Sequence, residues 1–216
     1  MGIITVERKV LEKNDDIARL NRAAFAERGV FVLNLVSSPG SGKTSILEKT
    51  CEALRGKMNI AVIEGDVQTD IDAQRVAAYG VPVVQIVTLG SCHLDAGLVR
   101  DAMQKLDLTQ TDLLFIENVG NLVCPSGYDL GEALKVAVLS TTEGDDKPLK
   151  YPAMFRNSSA LIVNKTDLIP YAGCNLKKLK ENAIKINPYL RMFELSCKTG
   201  EGLPEWLEWL INKGNI

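Results

Sequence analysis

Val30-Phe31-Val32-Leu33-Asn34-Leu35-Val36-Ser37-Ser38-Pro39-Gly40-Ser41-Gly42-Lys43-Thr44 is the stretch that decides the fold. An apolar run breaks into a glycine-rich turn, and a helical pattern begins near Lys43. Strand, loop and helix in that order read as a phosphate loop. The glycines are needed because backbone N–H groups must turn inward around a phosphate, where side chains would block the approach. Lys43 places a point charge on the β- and γ-phosphates, and Thr44 offers a hydroxyl to Mg2+. Pro39, Gly40, Ser41, Gly42 and Ser45 complete the cradle, and the helix points its positive end at the same phosphates. One position departs from the common pattern. Ser37 stands where such loops usually begin with glycine, at a strand exit that tolerates a small side chain at negative φ.

Outward from this loop, apolar strands alternate with helical stretches. Strands are expected at 30–36, 59–63, 83–88, 112–117, 135–141, 160–164 and 192–196, and helices starting near Lys43, Asp70, Leu94, Asn175 and Leu203. The alternation predicts an α/β fold, a mostly parallel twisted sheet with helices on both faces. Residues 6–28 have helical spacing with a break near Asn14-Asp15-Asp16, which predicts a peripheral N-terminal helix. The expected organisation is a helical extension over 1–29 and a nucleotide-binding domain over 30–216. Residues 143–157 form a long polar interruption, expected as a functional loop.

Two further strand ends carry base-reading chemistry. Asn164-Lys165-Thr166-Asp167 follows one apolar run, and Ser196-Cys197-Lys198-Thr199-Gly200 follows another. Asp167 can accept from N1–H and the exocyclic amine of guanine. Adenine offers neither donor, so a buried carboxylate there would be left unpaired. Asn164 braces the loop and reaches N7, the stem of Lys165 lies over the base, and backbone N–H groups around Ser196, Cys197 and Lys198 meet the guanine carbonyl. Together the motifs point to GTP.

Mg2+ also wants carboxylates, often through water. Asp66 and Glu117 end two of the expected strands, and the carboxyl ends of parallel strands gather at the edge that holds the phosphate loop. Asp66 has two roles open to it, Mg2+ ligand or positioner of the attacking water. Glu117 is expected to hold Mg2+ through water. Asp70 and Asp72 read equally well as helix-start residues. Gly120 would let the backbone approach a γ-phosphate and move on hydrolysis.

The single histidine, His93, follows Cys92, and Cys124 lies four residues past Gly120. Thiolate and imidazole suit Ni2+ or Zn2+. Three ligands do not close a four-coordinate site, so a second copy of the chain or water would have to complete it. Cys51, Cys174 and Cys197 read as small buried hydrophobes.

Composition bounds the rest. With 216 residues, 46% hydrophobic and a net charge of −2, the chain suits one domain with a full core and lacks the basic footprint of a nucleic-acid binder. It contains no run of eighteen apolar residues, so no membrane span is expected. Met1-Gly2-Ile3-Ile4-Thr5 opens into charge rather than a signal core, and Val6 replaces the Ser or Thr of a myristoylation site. Five cysteines do not suggest a disulfide framework, which makes a cytoplasmic location the expectation.

The combined pattern resembles the HypB family, the nickel-incorporation GTPases of hydrogenase maturation. The resemblance spans most of residues 30–200. It rests on the phosphate loop, Glu64-Gly65-Asp66-Val67-Gln68-Thr69-Asp70, Cys92-His93-Leu94-Asp95-Ala96, Glu117-Asn118-Val119-Gly120-Asn121-Leu122-Val123-Cys124-Pro125, Glu143-Gly144-Asp145-Asp146-Lys147 and Asn164-Lys165-Thr166-Asp167. It implies a GTP-dependent homodimer that delivers nickel to a hydrogenase large-subunit precursor, alongside a nickel-binding accessory maturation protein. It also implies that Cys92, His93 and Cys124 are the metal ligands, near the dimer interface, and that hydrolysis by Lys43 and Asp66 is slow, with no evident arginine finger. Some members carry an N-terminal cysteine motif or a histidine-rich stretch; residues 1–30 contain neither Cys nor His. Urease accessory GTPases share the phosphate loop but have Cys-Pro-His, unlike Cys92-His93 and Cys124-Pro125 here. A GTP-gated scaffold without useful turnover stays open as a rival; a small-molecule kinase fits the guanine motifs poorly.

Overall fold

A computed structural model describes residues 6–214, with side chains from Val10 onward. The expectations for Met1-Gly2-Ile3-Ile4-Thr5, and for a myristoyl site, fall outside the described residues. The order is α1 (Val6–Glu27), β1 (Phe31–Ser37), α2 (Lys43–Leu54), β2 (Ile60–Asp66), α3 (Ile71–Ala77), β3 (Val83–Val87), α4 (Ala96–Met103) and β4 (Leu113–Glu117). Then come β5 (Leu134–Ser140), α5 (Lys147–Lys150), α6 (Pro152–Arg156), β6 (Ala160–Asn164), α7 (Ile169–Ala172), α8 (Leu176–Ile186), β7 (Arg191–Glu194) and α9 (Leu203–Ile211).

The strands form one seven-stranded sheet in the order β3-β2-β4-β1-β5-β6-β7, with every neighbouring pair parallel. Parallel strands are buried on both faces, which explains their near-continuous apolar runs. Leu33, Leu35, Phe115 and Val138 face α2 and α9, where Phe193, Trp206 and Trp209 pack ring against ring. Trp206 satisfies its indole N–H on Thr50 Oγ1 at 3.0 Å. The opposite face holds two apolar clusters. Val32, Ile63 and Ile116 pack with α1 and α4, and Val36, Ala137 and Leu139 pack with α6 and α8. Between them in strand position run the polar residues Asn34 and Lys135, both buried.

Two expectations need correction. The break near Asn14-Asp15-Asp16 does not occur; α1 runs unbroken from Val6 to Glu27. Asn14 is buried there, donating to Asp129 O at 2.8 Å and accepting from Ala96 N at 2.8 Å. A polar residue at an inward helix position resembles punctuation in sequence and is a tertiary contact in the fold. Residues 143–157 are also not one loop. They hold α5 and α6, each with proline in its first turn, and Met154 and Phe155 are fully buried. Among the described residues, no helix is long and apolar enough to cross a membrane.

Candidate nucleotide and metal sites

The phosphate loop leaves β1 at the centre of the sheet and enters α2 through Gly42, whose φ is +99°. Glycine is required there twice over. That φ favours no side chain, and a methyl group would lie 2.3 Å from Asn164 Nδ2. Asn164 crosses from β6 to donate to Ser41 O at 3.0 Å, and Lys165 donates to Gly40 O at 2.7 Å. The base-reading motif therefore clasps the phosphate loop directly. Ser196 Oγ donates to Asp167 Oδ1 at 2.6 Å and accepts from the N–H groups of Lys198 and Thr199, which fixes the carboxylate's orientation. Gly42, Ser45, Asn164, Lys165, Asp167, Cys197 and Lys198 line one cavity of about 420 Å3. A second, of about 520 Å3, is lined by Pro39, Gly40, Lys43, Thr44, Asp66, Glu117 and Gly120. The two share Gly42, Ser45 and Lys165, so the two cavities adjoin.

Ser37 has a partner the motif does not disclose. Lys43 Nζ donates to Ser37 Oγ at 2.8 Å, inside the buried wall of the site. Ser38 Oγ bonds Glu143 Oε2, tying the loop to the segment after β5. Gly120 sits against the loop: a methyl group on it would lie 3.0 Å from Pro39 Cα. Its role here is close approach.

Thr44 Oγ1 donates to Glu117 Oε1 at 2.9 Å. Ligand-capable oxygens of Glu64, Asp72 and Glu117 lie within 4.8 Å of one another. Glu64 and Glu117 are 2% and 3% exposed, and the Oε2 atom of each is buried without a partner. Burial and the neighbouring Glu117 push the Glu64 carboxyl up to about 8. Burial pushes Glu117 up to about 7, against the pull of Lys43 and the Thr44 hydroxyl. Two buried carboxyls with orphaned oxygens beside a threonine hydroxyl are a donor set that fits a hard divalent cation. Asp66 lines the same cavity, but its Oδ1 accepts from Gln68 N and Thr69 N at 2.9 and 2.8 Å. Burial works against its charge, and those N–H groups prevail, holding the carboxyl low. Sequence reasoning misses Glu64 and leaves Asp72 ambiguous. The signal for Glu64 is an acid two positions before Asp66, on the same strand face.

The adjacent Cys92 and His93 come together with Cys124, 32 residues from Cys92, with ligand atoms within 4.8 Å of one another. Cys92 and Cys124 sulfurs are 2.9 Å apart, both free thiols, and Cys92 Sγ lies 3.9 Å from His93 Nδ1. Burial lowers the His93 pKa, favouring the neutral, ligating imidazole. The Cys124 thiol is raised chiefly by its hydrogen bond with Cys92, then by burial. His93 packs on Tyr128 with ring centroids 4.0 Å apart. Cys51 and Cys197 are pushed up to about 11 by burial, and Cys174 is raised by burial; none of the three joins the cluster.

The sequence model of the family described as CobW/HypB/UreG, nucleotide-binding domain, matches residues 31–194. The hydrogenase maturation factor HypB of Azotobacter vinelandii is 53% identical over 208 residues, covering 96% of this chain and 69% of that protein. The chain belongs to the HypB family of hydrogenase maturation factors. HypB of Escherichia coli K12 is 51% identical, over 96% of this chain and 72% of its own length. A crystal structure of Helicobacter pylori HypB in complex with nickel superposes with a TM-score of 0.89 at 40% identity, covering 94% of this chain and 95% of that one. The HypB fold is thus a P-loop α/β domain, and in this chain Lys43, Thr44 and Glu117 line one cavity beside its phosphate loop.

Proposed function

We propose that this chain hydrolyses GTP to GDP and phosphate and uses that cycle to hold and release Ni2+ or Zn2+ during maturation of a [NiFe]-hydrogenase. One observation carries the reading. Within the cluster Cys92–His93–Cys124, Cys124 stands four residues along the chain from Gly120, which is packed against the phosphate loop at Pro39. A nucleotide-sensing segment and a soft-metal cluster share one short stretch.

In this reading Pro39, Gly40, Ser41, Gly42, Lys43, Thr44, Ser45 and Gly120 surround the phosphates. Asn164, Lys165, Asp167, Ser196, Cys197 and Lys198 select guanine. Thr44, Asp66 and Glu117 hold Mg2+, with Glu64 and Asp72 close enough to contribute. The cation would supply charge neutralisation for the β- and γ-phosphates. Lys43 binds and orients the γ-phosphate, and Asp66, at the rim of the same cavity, positions the attacking water. Hydrolysis is slow because the cavity offers no free arginine. Among the described residues its cations are Lys43, Lys165 and Arg75; Lys165 is held by Gly40 O, and Arg75 by Glu48 and Asp72.

The metal is cargo. Three ligands per chain favour a homodimer in which a second copy or water completes coordination. Exposed Leu89 and Val123 flank the two metal-bearing loops and support an interface there. The partners in this reading are a nickel-binding accessory protein and the hydrogenase large-subunit precursor, in the cytoplasm. Titration of Ni2+ and Zn2+ into the full chain with GDP, and with a non-hydrolysable GTP analogue, tests the proposal, with sedimentation reporting the dimer. Different metal affinities in the two states are expected. Equal affinities, or no phosphate release from GTP, would sink it.

A further inference from the structure

Asn118 lies one residue past Glu117 and two before Gly120, and it is 1% exposed. Its Oδ1 accepts from Leu94 N at 3.1 Å and from Val119 N at 3.0 Å. Leu94 is the residue after His93. The Asn118 Nδ2 donates to Asn34 Oδ1 at 3.3 Å on the central strand β1. Asn34 Nδ2 donates onward to Glu132 Oε1 at 3.0 Å, and that oxygen stands 3.8 Å from Lys135 Nζ. Lys135 then donates to Pro125 O at 3.1 Å and to Tyr128 O at 2.9 Å. Those carbonyls belong to the turn that begins with Cys124 and ends under His93, against the Tyr128 ring.

One buried amide thus touches both halves of the cysteine–histidine cluster, one half directly and the other through three side chains. We propose that Asn118 is a positioning residue for the Cys92–His93–Cys124 site, and that through it the nucleotide state of the Glu117–Gly120 segment sets the separation of the two metal-bearing loops. The inference rests on the reading that GTP and metal binding are coupled in this chain. The physical case is that the amide is fully enclosed and makes three hydrogen bonds. A displacement of the Glu117–Gly120 backbone therefore either carries Leu94 and Asn34 with it or strands buried polar groups, and the latter is costly. The network is discrete and fully connected, as a two-position link requires.

A merely structural role would change metal affinity equally in both nucleotide states. A linking role changes the ratio. Ni2+ is titrated calorimetrically into the full chain with GDP and with a non-hydrolysable GTP analogue. The wild-type dissociation constants are expected to differ by about fivefold or more. In Asn118→Ala the ratio is expected to fall to within about twofold of one. Asn118→Ser provides the same test if the alanine variant fails to fold by circular dichroism; its hydroxyl can accept from Val119 N but is too short to reach Asn34. Hydrogen exchange of the Leu94 amide in the wild-type chain needs no variant, and its protection is expected to differ between the two nucleotide states. A wild-type ratio of one defeats the coupling reading itself. A wild-type ratio above fivefold that survives in a folded Asn118 variant, or Leu94 protection indifferent to nucleotide, overturns the role of Asn118 and leaves the coupling standing.

Discussion

The proposed guanine end of the nucleotide pocket is braced by direct contacts: Asn164 to Ser41, Lys165 to Gly40, Ser196 to Asp167. The cysteine–histidine cluster sits on two loops that meet through one sulfur–sulfur approach, one ring contact and one long hydrogen bond, from Asn121 Nδ2 to Cys92 O at 3.5 Å. Its support is indirect and buried, through Asn118 and Lys135 on one side and through Asn14 and Asn21 of α1 on the other. A pocket that must discriminate one base gains from rigidity, because mismatched donors then have nowhere to go. A site that must take up and give up a metal gains from ligands whose spacing can change. That contrast supports reading the first region as preorganised and the second as adjustable.

The largest expected effect attacks the rigid side. Asp167→Asn keeps an oxygen for Ser196 Oγ and presents an amide where guanine N1 and N2 need an acceptor. Preference should pass from GTP to XTP, a combined change on the order of 10^4-fold, since a site built to hydrogen-bond rejects the unmatched partner strongly. Competition binding measures it, and undiminished GTP preference would remove Asp167 from the base site. Next in size, Lys43→Ala should lower phosphate release by about 10^3-fold, the scale of losing one charge-stabilising group. The fold should survive, because the one hydrogen bond lost is to Ser37, and Glu117, relieved of the Lys43 charge, can take up a proton. Circular dichroism and a phosphate-release assay separate the two effects, and normal turnover in a folded variant contradicts the loop's role.

Much of the rigid side was legible because its residues are contiguous. A strand, a glycine turn and a helix occupy 30–54, and each base-reading motif is a short run at a strand end. The adjustable side was legible only as ligand types. Nothing in Cys92-His93 or Cys124-Pro125 says what holds them together, because the bracing pairs are 84 and 98 residues apart in sequence, Asn118 with Asn34 and Asn34 with Glu132. Local pattern carries propensity and periodicity, whereas such contacts exist only after the sheet has formed. A hint was present: Asn34 interrupts an otherwise apolar central strand, and a polar residue there must find a partner. The same blindness makes Asn14-Asp15-Asp16 look like a helix break.

The third expected effect tests whether the two regions are separable. Cys124→Ala removes one of three ligands and should weaken Ni2+ binding by about 10^2-fold, at least the scale seen when supporting groups are lost. GTP binding should shift by less than about threefold, because Cys124 lies outside both nucleotide cavities. Paired calorimetric titrations of metal and nucleotide check it. Wild-type Ni2+ affinity in the variant would remove Cys124 from the site, and a large loss of GTP binding would mean the two regions form one unit.

The smallest expected effect concerns the acidic floor of the phosphate cavity, where rigidity has a cost. Glu64 ionises near 8 in the folded chain against about 4.5 for an ordinary glutamate, because of burial and the Glu117 carboxyl, with Asp66 and Asp72 adding to the repulsion. Between those two values the folded state holds a proton that the unfolded chain has released. Stability from this group is therefore complete below about 4.5 and is lost progressively as pH rises from there through about 8. Glu117, raised to about 7, acts in the same direction. Each pH unit separating the folded from the unfolded pKa corresponds to about 1.4 kcal/mol, and water reaching a cavity wall reduces the full sum. Without divalent cations, the wild-type chain should lose on the order of 2 kcal/mol between pH 5 and 8.5, read from urea midpoints. Glu64→Gln should lose less than half of that, since it removes the carboxyl with the larger shift and leaves only that of Glu117. Added Mg2+ should flatten the wild-type profile as well, because a cation among Glu64, Asp72 and Glu117 favours the charged carboxylates that burial opposes. An equal slope in Glu64→Gln would place the pH dependence elsewhere. A wild-type slope indifferent to Mg2+ would mean that the acidic floor does not meet the cation at all.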